Sequence, residues 1–218
     1  MSLARTFAHH WRNVTGQKAA AQRAAQDAFA VACAGLGAGD LAIDLGANRG
    51  IFTQKLAETG ADVVAFEPDP HAFAALRAAV GESGNVTCLN AAAAAKAGTM
   101  TLYRTADFDR DPDRHSTSSS LVAEKRNVTA EAGISVEVVD FVAFLEGRDR
   151  DVAVIKMDIE GAEVDLMEAL LDHPVAARIT QIFVETHERA IPSLADRTAA
   201  LKARTKGRTR PAVNWDWH

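Results

Sequence analysis

The sequence has few cysteines and no long apolar run, and both features narrow what the chain can be. Its two cysteines, Cys33 and Cys88, lie in separate apolar surroundings, which indicates buried thiols in a reducing compartment rather than a disulfide framework. No apolar stretch reaches the roughly 18 residues that a membrane helix needs. The basic first residues have no apolar core behind them, so a signal peptide is not expected. We therefore expect a cytoplasmic protein with no membrane partner.

The chain also lacks an excess of positive charge. Lys and Arg number 24 against 29 Asp and Glu, for a formal net charge of −5, so composition gives no reason to expect a nucleic acid partner. Six basic residues are concentrated in residues 193–218, beside two Asp. Such a patch is more often a solvated face than a binding surface, and recognition of an anionic substrate is the sharper alternative.

Neither an internal repeat nor a low-complexity linker divides the sequence. Its 218 residues are enough for one α/β domain with a sizeable core. We therefore predict a single domain over residues 1–218. It consists of a helical N-terminal extension over 1–38 and a core over 39–218.

Short apolar runs alternate with segments of helical spacing along most of the chain. The predicted strands are 41–45, 62–66, 85–89, 98–104, 134–139, 152–157, 179–184 and 212–217. The predicted helices are 17–33, 51–59, 70–80, 140–145, 160–171 and 193–203. This alternation is typical of an α/β fold with a doubly wound, mainly parallel sheet and helices on both faces.

The most informative segment is LAIDLGANRGIF, residues 41–52. A buried strand carries Asp44, a glycine turn follows, and a helix begins near Gly50. Gly46 permits a sharp turn and leaves room for a ligand against the main chain, at the place where doubly wound sheets bind ligands. The G-x-G-x-x-G pattern that holds a pyrophosphate is missing. An acidic side chain beside the turn instead suits S-adenosylmethionine, which has a carboxylate, an ammonium and a sulfonium but no phosphate.

A carboxylate follows the second strand, in the segment VVAFEPD. Glu67 comes 21 residues after Gly46, where it can accept hydrogen bonds from both ribose hydroxyls of an adenosine. The alternative is that this segment only caps the next helix, which Asp69 before Pro70 can do alone. We favour ribose binding because the strand, the glycine turn and the carboxylate occur together. Small residues after the third strand leave room for a flat ring.

Four segments of the sequence resemble the FkbM family of methyltransferases: IDLGANRG (43–50), FEPDP (66–70), IKMDIEGAE (155–163) and FVETH (183–187). The resemblance implies a Rossmann-like methyltransferase fold with a seven-stranded type of sheet. It also implies methyl transfer from S-adenosylmethionine, usually to a hydroxyl oxygen. Family acceptors include sugars, glycans and small secondary metabolites, so we expect a small-molecule or glycan acceptor.

The resemblance also implies which residues bind the cofactor. The methionine end would be lined by Asp44, Gly46, Asn48 and Gly50, the ribose would be bound by Glu67, and the adenine would be bordered by Asn90 and Ala91. Ala47 and Pro68, which neighbour these residues, complete the expected cofactor-binding set. Ser119 and Ser120 also resemble a family feature, and we expect them to close over the site.

Polar side chains follow two further strands, where they can reach an acceptor. Asp158 follows strand 152–157, and Glu185 and His187 follow strand 179–184. His187 is the expected general base, because histidine titrates near neutral pH. Asp158 and Glu185 are the other expected catalytic residues, although one of them could only orient the histidine. For Glu163 we expect no more than a favourable charge at a helix N-terminus.

A divalent metal is a rival account of the same three residues. Asp158, Glu185 and His187 could bind Mg²⁺ or a similar ion that lowers the pKa of the acceptor. No dense ligand spacing demands this, so a metal is possible but not expected. The charged segment 105–120 is the predicted acceptor lid, with an ordinary surface loop as the alternative.

Three other functions stay open. A nucleotide-cofactor oxidoreductase is disfavoured by the missing G-x-G-x-x-G pattern. A cofactor-binding protein without catalysis would be indicated if Asp158 and His187 did not face the pocket. A methyltransferase for nucleic acid or protein is disfavoured by the net charge and by the absence of an Asn-Pro-Pro-Tyr-type signature, although the basic tail keeps it open. The sequence leaves the oligomeric state undecided.

Overall fold

The structure is a computed structural model that describes residues 17–217, apart from 106–107, 111–118, 123 and 126–127. The strands are β1 (Leu41–Leu45), β2 (Asp62–Phe66), β3 (Val86–Leu89), β4 (Ala92–Ala94), β5 (Gly98–Arg104), β6 (Thr129–Asp140), β7 (Val152–Met157), β8 (Ile179–Val184) and β9 (Ala212–Asn214). The α-helices are α1 (Gln17–Ala34), α2 (Ile51–Ala57), α3 (Pro70–Val80), α4 (Phe141–Glu146), α5 (Glu163–Asp172) and α6 (Ala195–Thr205). Short 3-10 helices occupy Phe108–Arg110, Pro174–Arg178 and Pro192–Leu194.

The main sheet has six strands in the order β3-β2-β1-β7-β8-β9, and all neighbouring pairs are parallel. The prediction of a doubly wound, mainly parallel sheet is confirmed, with six strands in the described part of the chain where a seven-stranded type was expected. The strand order reverses between β1 and β7. In such sheets the crevice beyond the carboxyl ends at this reversal is where ligands bind.

Helices cover both faces of the main sheet, because its strands are apolar on both sides. Along β1, Leu41, Ile43 and Leu45 point into a core shared with α4, α5 and α6. Ala42 points to the opposite face, into a second core. Helices α1 and α2 supply side chains to that second core, and α3 packs on the same face against Ala65 of β2.

A second, three-stranded sheet has the order β4-β6-β5. Strand β6 pairs parallel with β4 and antiparallel with β5. The sequence pattern does not predict β4, because three alanines show no alternation of apolar and polar residues. It predicts a strand from residue 134, whereas β6 begins at Thr129. This sheet has its own small core, which includes Ala92, Leu102 and Leu121.

Helix α1 belongs to the packed body of the protein, although it was predicted as an extension. Phe29 of α1 lies 5.1 Å from Phe183 and 4.5 Å from Trp217 between ring centroids. Phe52 of α2 completes this aromatic cluster, with its ring centroid 5.0 Å from that of Trp217. None of the described helices combines the length and apolar character needed to cross a membrane.

Helix α5 begins three residues later than the sequence indicated. The expected start, Glu160, has a φ of 57°, and Gly161 has a φ of 113°. Neither value belongs to a right-handed helix. The chain therefore makes a left-handed turn between β7 and α5, and this turn lies at the edge of the crevice.

Candidate functional site

A cavity of about 220 Å³ opens at the carboxyl ends of β1, β2 and β7. The residues that line it come from the glycine turn after β1, the end of β2, strand β4, strand β5, the segment before Leu121 and the turn after β7. They are Gly46, Ala47, Asn48, Arg49, Ile51, Phe52, Phe66, Glu67, Pro68, Ala91, Ala92, Ala93, Leu102, Ser119, Ser120, Leu121, Lys156, Asp158, Ile159 and Glu160. Most of this wall is apolar, and its polar groups lie near the two turns.

The turn after β1 passes directly against the end of β7. A Cβ atom at Gly46 would lie 1.8 Å from the main-chain oxygen of Asp158, and φ at Gly46 is 76°. Only glycine therefore fits at this position. The N–H groups of Gly46 and Ala47 both donate to the carbonyl oxygen of Phe66, at 3.0 and 2.9 Å. These bonds hold the turn against the end of β2 and bring it to Glu67.

Glu67 is almost fully buried, with 6% of its surface exposed. One carboxylate oxygen accepts from the N–H of Asn48 at 2.8 Å, and the other accepts from the N–H of Asp69 at 2.8 Å. Burial raises the pKa of Glu67 to about 7, although both N–H groups favour the charged form. The side chain is thus fixed at the wall of the cavity, and each oxygen keeps further accepting capacity.

Of the nine expected cofactor residues, six line the cavity and three do not. Asp44 is fully buried beneath the turn, where it is held by other side chains instead of facing a ligand. Gly50 packs against α3, since a Cβ there would lie 2.9 Å from Leu76. The Asn90 amide turns to the main chain and donates to the carbonyl oxygens of Glu67 and Pro68, at 2.9 and 3.2 Å. These three residues shape the cavity from behind it.

Lys156 lines the cavity and also holds Asp44 and the glycine turn in place. Its Nζ lies 3.2 Å from Asp44 and donates to the carbonyl oxygen of Gly46 at 2.7 Å. The other carboxylate oxygen of Asp44 accepts from Thr53 at 2.7 Å. Burial by itself lowers the pKa of Lys156, but the charges of Asp44 and Asp158 outweigh it and raise that pKa above the usual value.

The three expected catalytic residues lie together. Strands β7 and β8 pair Met157 with Val184, and the pairing continues one residue further, because the N–H of Glu185 donates to the oxygen of Met157 at 2.9 Å. Asp158, Glu185 and His187 each offer one atom that could bind a metal ion, and these three atoms lie within 4.8 Å of one another. Burial raises the pKa of Glu185 to about 7, and the negative charge of Asp158 adds to this effect. Of the three, only Asp158 lines the cavity.

His187 is bound on both ring nitrogens by carboxylates. Its Nε2 lies 2.9 Å from Glu160, and its Nδ1 lies 3.3 Å from Glu163. Burial lowers the pKa of His187, but the hydrogen bonds and charges of these two carboxylates outweigh burial and raise the pKa to about 11. The imidazole is therefore a cation at neutral pH, which argues against its expected role as the general base.

Glu163 has a larger structural role than the expected favourable charge at a helix N-terminus. It is fully buried, and one oxygen accepts from the N–H of Gly161 at 2.7 Å. The other oxygen accepts from the main-chain N–H of His187 at 3.0 Å. Glu163 therefore joins the turn after β7 to the segment after β8. The sequence offered only its place in IKMDIEGAE as a signal, since its partner lies 24 residues away.

A short strap, residues 119–122, closes one side of the cavity. Ser120 forms a two-way main-chain pairing with Tyr103, at 2.7 and 2.9 Å, and its hydroxyl donates to the carbonyl oxygen of Glu160. The buried Lys125 forms an ion pair with the Glu160 carboxylate. Ser119 and Ser120 lie in the cavity wall, and their closing over a bound ligand stays a prediction. Most of the predicted lid, 105–120, lies outside the described residues.

The residues present fit S-adenosylmethionine. Ala91, Ala92 and Leu102 give a small, apolar wall that suits an adenine ring. Glu67 supplies acceptors for ribose hydroxyls, and the glycine turn approaches without side chains. A possible metal ion concerns a different group of residues, Asp158, Glu185 and His187.

Comparisons with known proteins agree with this geometry. The family described as "Methyltransferase FkbM domain" matches residues 44–204, about three quarters of the chain. None of the curated proteins compared with the chain matches it significantly.

Two solved structures show limited similarity. The 23S rRNA methyltransferase ErmE has a TM-score of 0.25 and 24% identity over 33% of this chain, and the chain covers 27% of its length. A Clostridium thermocellum protein described as an rRNA methylase has a TM-score of 0.41 and 10% identity, with 77% of this chain and 72% of that one covered. The family match includes every residue that lines the cavity. By that match, the chain belongs to the FkbM methyltransferase family.

Proposed function

We propose that this chain transfers the methyl group of S-adenosylmethionine to a hydroxyl oxygen of a sugar, a glycan or a small metabolite. The observation that carries the proposal is the buried carboxylate of Glu67 at the cavity wall. It is held by the N–H groups of Asn48 and Asp69, at 2.8 Å each. A carboxylate so fixed is oriented in advance for two ribose hydroxyls, with little conformational entropy left to lose.

When bound, the cofactor supplies a methyl group already activated by its sulfonium. The chain has to align the acceptor with that group and exclude water. The apolar wall of Ala92, Ala93 and Leu102 excludes water on one side, and the strap at Leu121 covers another. Asp158 also lines the cavity, and its carboxylate can accept a hydrogen bond from an acceptor hydroxyl.

The position of Asp158 favours catalysis over simple cofactor binding. A protein that only bound the cofactor would have no use for a charged cluster beside the methyl end. Here Asp158 lines the cavity, and Glu185 and His187 lie directly behind it. A nucleotide-cofactor oxidoreductase is not supported by the turn after β1, which has G-x-x-x-G spacing instead of the G-x-G-x-x-G pattern that holds a pyrophosphate.

The ion pairs of the basic tail favour a small acceptor. Of its six basic residues, four pair with acidic side chains: Arg197 with Asp165 and Glu168, Lys202 with Glu188, Arg204 with Asp172, and Arg210 with Asp151. Paired charges present little net positive field to a phosphate backbone. The tail therefore behaves as a solvated face, and we propose an acceptor without a polyanionic backbone.

The experiment is a labelled methyl-donor assay of the whole chain against sugars, glycans, hydroxylated metabolites and an rRNA transcript. Label transfer to a hydroxyl compound, lost in Glu67→Ala and kept in Glu82→Ala, is the expected result. Glu82 is an exposed glutamate that serves as the matched control. Transfer to the rRNA alone would refute the proposed acceptor class. Binding of NADH without binding of S-adenosylhomocysteine would refute the cofactor.

A further inference from the structure

We propose that Asp158, Glu185 and His187 form a binding site for one divalent cation of the Mg²⁺ or Mn²⁺ class. The sequence alone did not lead us to expect a metal, because the three residues show no dense ligand spacing. The fold brings them together from the ends of β7 and β8. The existence of this site is independent of the proposed function, whereas its use in methyl transfer rests on that function.

The distances suit a single ion. One possible ligand atom from each residue lies within 4.8 Å of the other two. Ligands of one Mg²⁺ ion lie about 3 Å apart in adjacent positions and about 4 Å apart in opposite ones, so small side-chain movements bring the three atoms onto one ion. Hydrogen bonds fix the main chain that carries both carboxylates, because the N–H of Asp158 donates to the oxygen of Leu45 at 3.0 Å and the N–H of Glu185 donates to the oxygen of Met157 at 2.9 Å. Consecutive parallel strand ends thus present two acidic side chains at the same edge of the sheet.

One carboxylate oxygen in the cluster has no hydrogen-bond partner among the described residues, although it lies within ion-pair distance of His187. The Oδ1 of Asp158 is buried and accepts no hydrogen bond from any part of the chain that the structure describes. It lies 3.7 Å from His187 Nε2, which is too long for a hydrogen bond. Buried carboxylate oxygens are almost always satisfied, and an unsatisfied one calls for an explanation such as an ion. A cation between Oδ1 and Nε2 would satisfy both atoms.

Glu163 orients the histidine as metal sites usually require. Its carboxylate holds Nδ1 of His187 at 3.3 Å and the main-chain N–H of His187 at 3.0 Å. A metal-bound histidine commonly donates its other ring N–H to a carboxylate in this way, which leaves Nε2 for the ion. In the structure Nε2 contacts Glu160 instead, at 2.9 Å. The cation would replace that proton, and Glu160 would keep its ion pair with Lys125.

The ligand set indicates the class of ion and its use. Two carboxylates with one imidazole suit Mg²⁺ or Mn²⁺ better than a soft metal that prefers thiolates. Three protein ligands leave positions open, and Asp158 faces the cavity. A cation there would lower the pKa of an acceptor hydroxyl beside it.

The test is a titration of the full chain with Mn²⁺, without cofactor or acceptor. Binding is measured as the loss of the paramagnetic resonance signal of free Mn²⁺. We expect one bound ion per chain. The Glu185→Gln and His187→Gln variants should each weaken binding by at least about 10-fold. Glu188→Gln is the matched control, since Glu188 lies in the same segment but pairs with Lys202 at 3.3 Å, and it should bind as the wild type does.

Folding of each variant is checked by circular dichroism and by its melting temperature. Mn²⁺ should raise the melting temperature of the wild type and of Glu188→Gln but not that of Glu185→Gln. Absence of saturable Mn²⁺ binding by the wild type, or equal binding by all variants, overturns the site. Mn²⁺ binding without S-adenosylhomocysteine binding would support the site and refute the proposed function, so the two failures are distinguishable.

Discussion

The Nζ of Lys156 donates a hydrogen bond of 2.7 Å to the main-chain oxygen of Gly46, so a charged side chain on one strand holds the turn that follows its neighbour. Strands β1 and β7 pair Asp44 with Lys156 in register, which places both charges on the same side of the sheet. The turn at the cavity wall is therefore supported by a buried ion pair.

Replacing Lys156 with methionine should lower the free energy of unfolding by about 3–5 kcal/mol, because the Asp44 charge would be left buried without its partner. Urea denaturation measures this. The double variant Lys156→Met with Asp44→Asn should regain part of the loss, and Lys55→Met, at an exposed position, serves as the control. A loss below about 1 kcal/mol, typical of an exposed ion pair, would contradict the interpretation.

Substitutions at Gly39 and Gly46 can distinguish the cost of backbone strain from the cost of steric overlap. Gly39 has a φ of 97° with nothing near a Cβ atom, whereas a Cβ at Gly46 would lie 1.8 Å from the Asp158 oxygen. We expect Gly39→Ala to cost about 1–2 kcal/mol and Gly46→Ala to cost about 3 kcal/mol or more. Only Gly46→Ala should also abolish S-adenosylhomocysteine binding, as measured by calorimetry. Equal effects of the two substitutions would show that the turn can move away from β7.

Affinity for S-adenosylhomocysteine should depend on pH through Glu67. Its pKa in the free protein is about 7, and the charged form is the better acceptor for ribose hydroxyls. Affinity should therefore rise with pH through neutrality and level off above it. Glu67→Ala should weaken binding by about 1–3 kcal/mol, and Glu67→Gln should lose the pH dependence. Calorimetry at several pH values checks this, and a pH-independent wild type would contradict it.

The same group makes stability depend on pH in the opposite sense. The pKa of Glu67 is raised on folding, from 4.5 to about 7, so the folded state binds the proton more tightly than the unfolded state does. Its contribution is fully present below pH 4.5 and is lost as the pH rises to about 7. The difference in unfolding free energy between wild type and Glu67→Gln, measured without ligand, should fall over that range. A constant difference would mean that Glu67 is charged throughout.

Asp69 should matter more for stability than an ordinary helix cap. One of its oxygens accepts from the N–H groups of His71 and Ala72, and the other accepts from Arg104 at 2.8 Å. Asp140 caps α4 with a single bond to Ala143 and forms no ion pair with the residues that the structure describes. We expect Asp140→Ala to cost about 1 kcal/mol and Asp69→Ala to cost about 2–3 kcal/mol, since Arg104 would also lose its acceptor. Chemical denaturation of both variants measures these costs. Equal costs would show that Asp69 acts only as a helix cap and that its ion pair with Arg104 adds no stability.

Local patterns were enough to predict most of the fold. β1, β2, β7 and β8 are short apolar runs, which parallel strands covered on both faces require, and their bounds agree with the structure. Gly46 and Glu67 were also predictable, because the turn and the carboxylate each follow a strand directly. Strand β4 was not, since Ala92–Ala94 becomes a strand only through its pairing with β6.

The side-chain partners in the site could not be read from the sequence. An ordinary histidine has a pKa near neutrality. In this structure Glu160 and Glu163 raise the pKa of His187, so that its side chain is a cation at neutral pH. Asp44 looked like a ligand because it precedes the turn, but Lys156 holds it beneath the cavity. Such contacts join residues far apart in the chain, and no spacing rule encodes them.

The contact between Phe52 and Trp217 gives this protein an internal optical reporter. Phe52 lines the cavity, and its ring centroid lies 5.0 Å from that of the buried Trp217. A ligand that presses on Phe52 alters the surroundings of that indole, so its emission spectrum should shift when the cavity fills. Occupancy can then be followed in solution without attaching any dye.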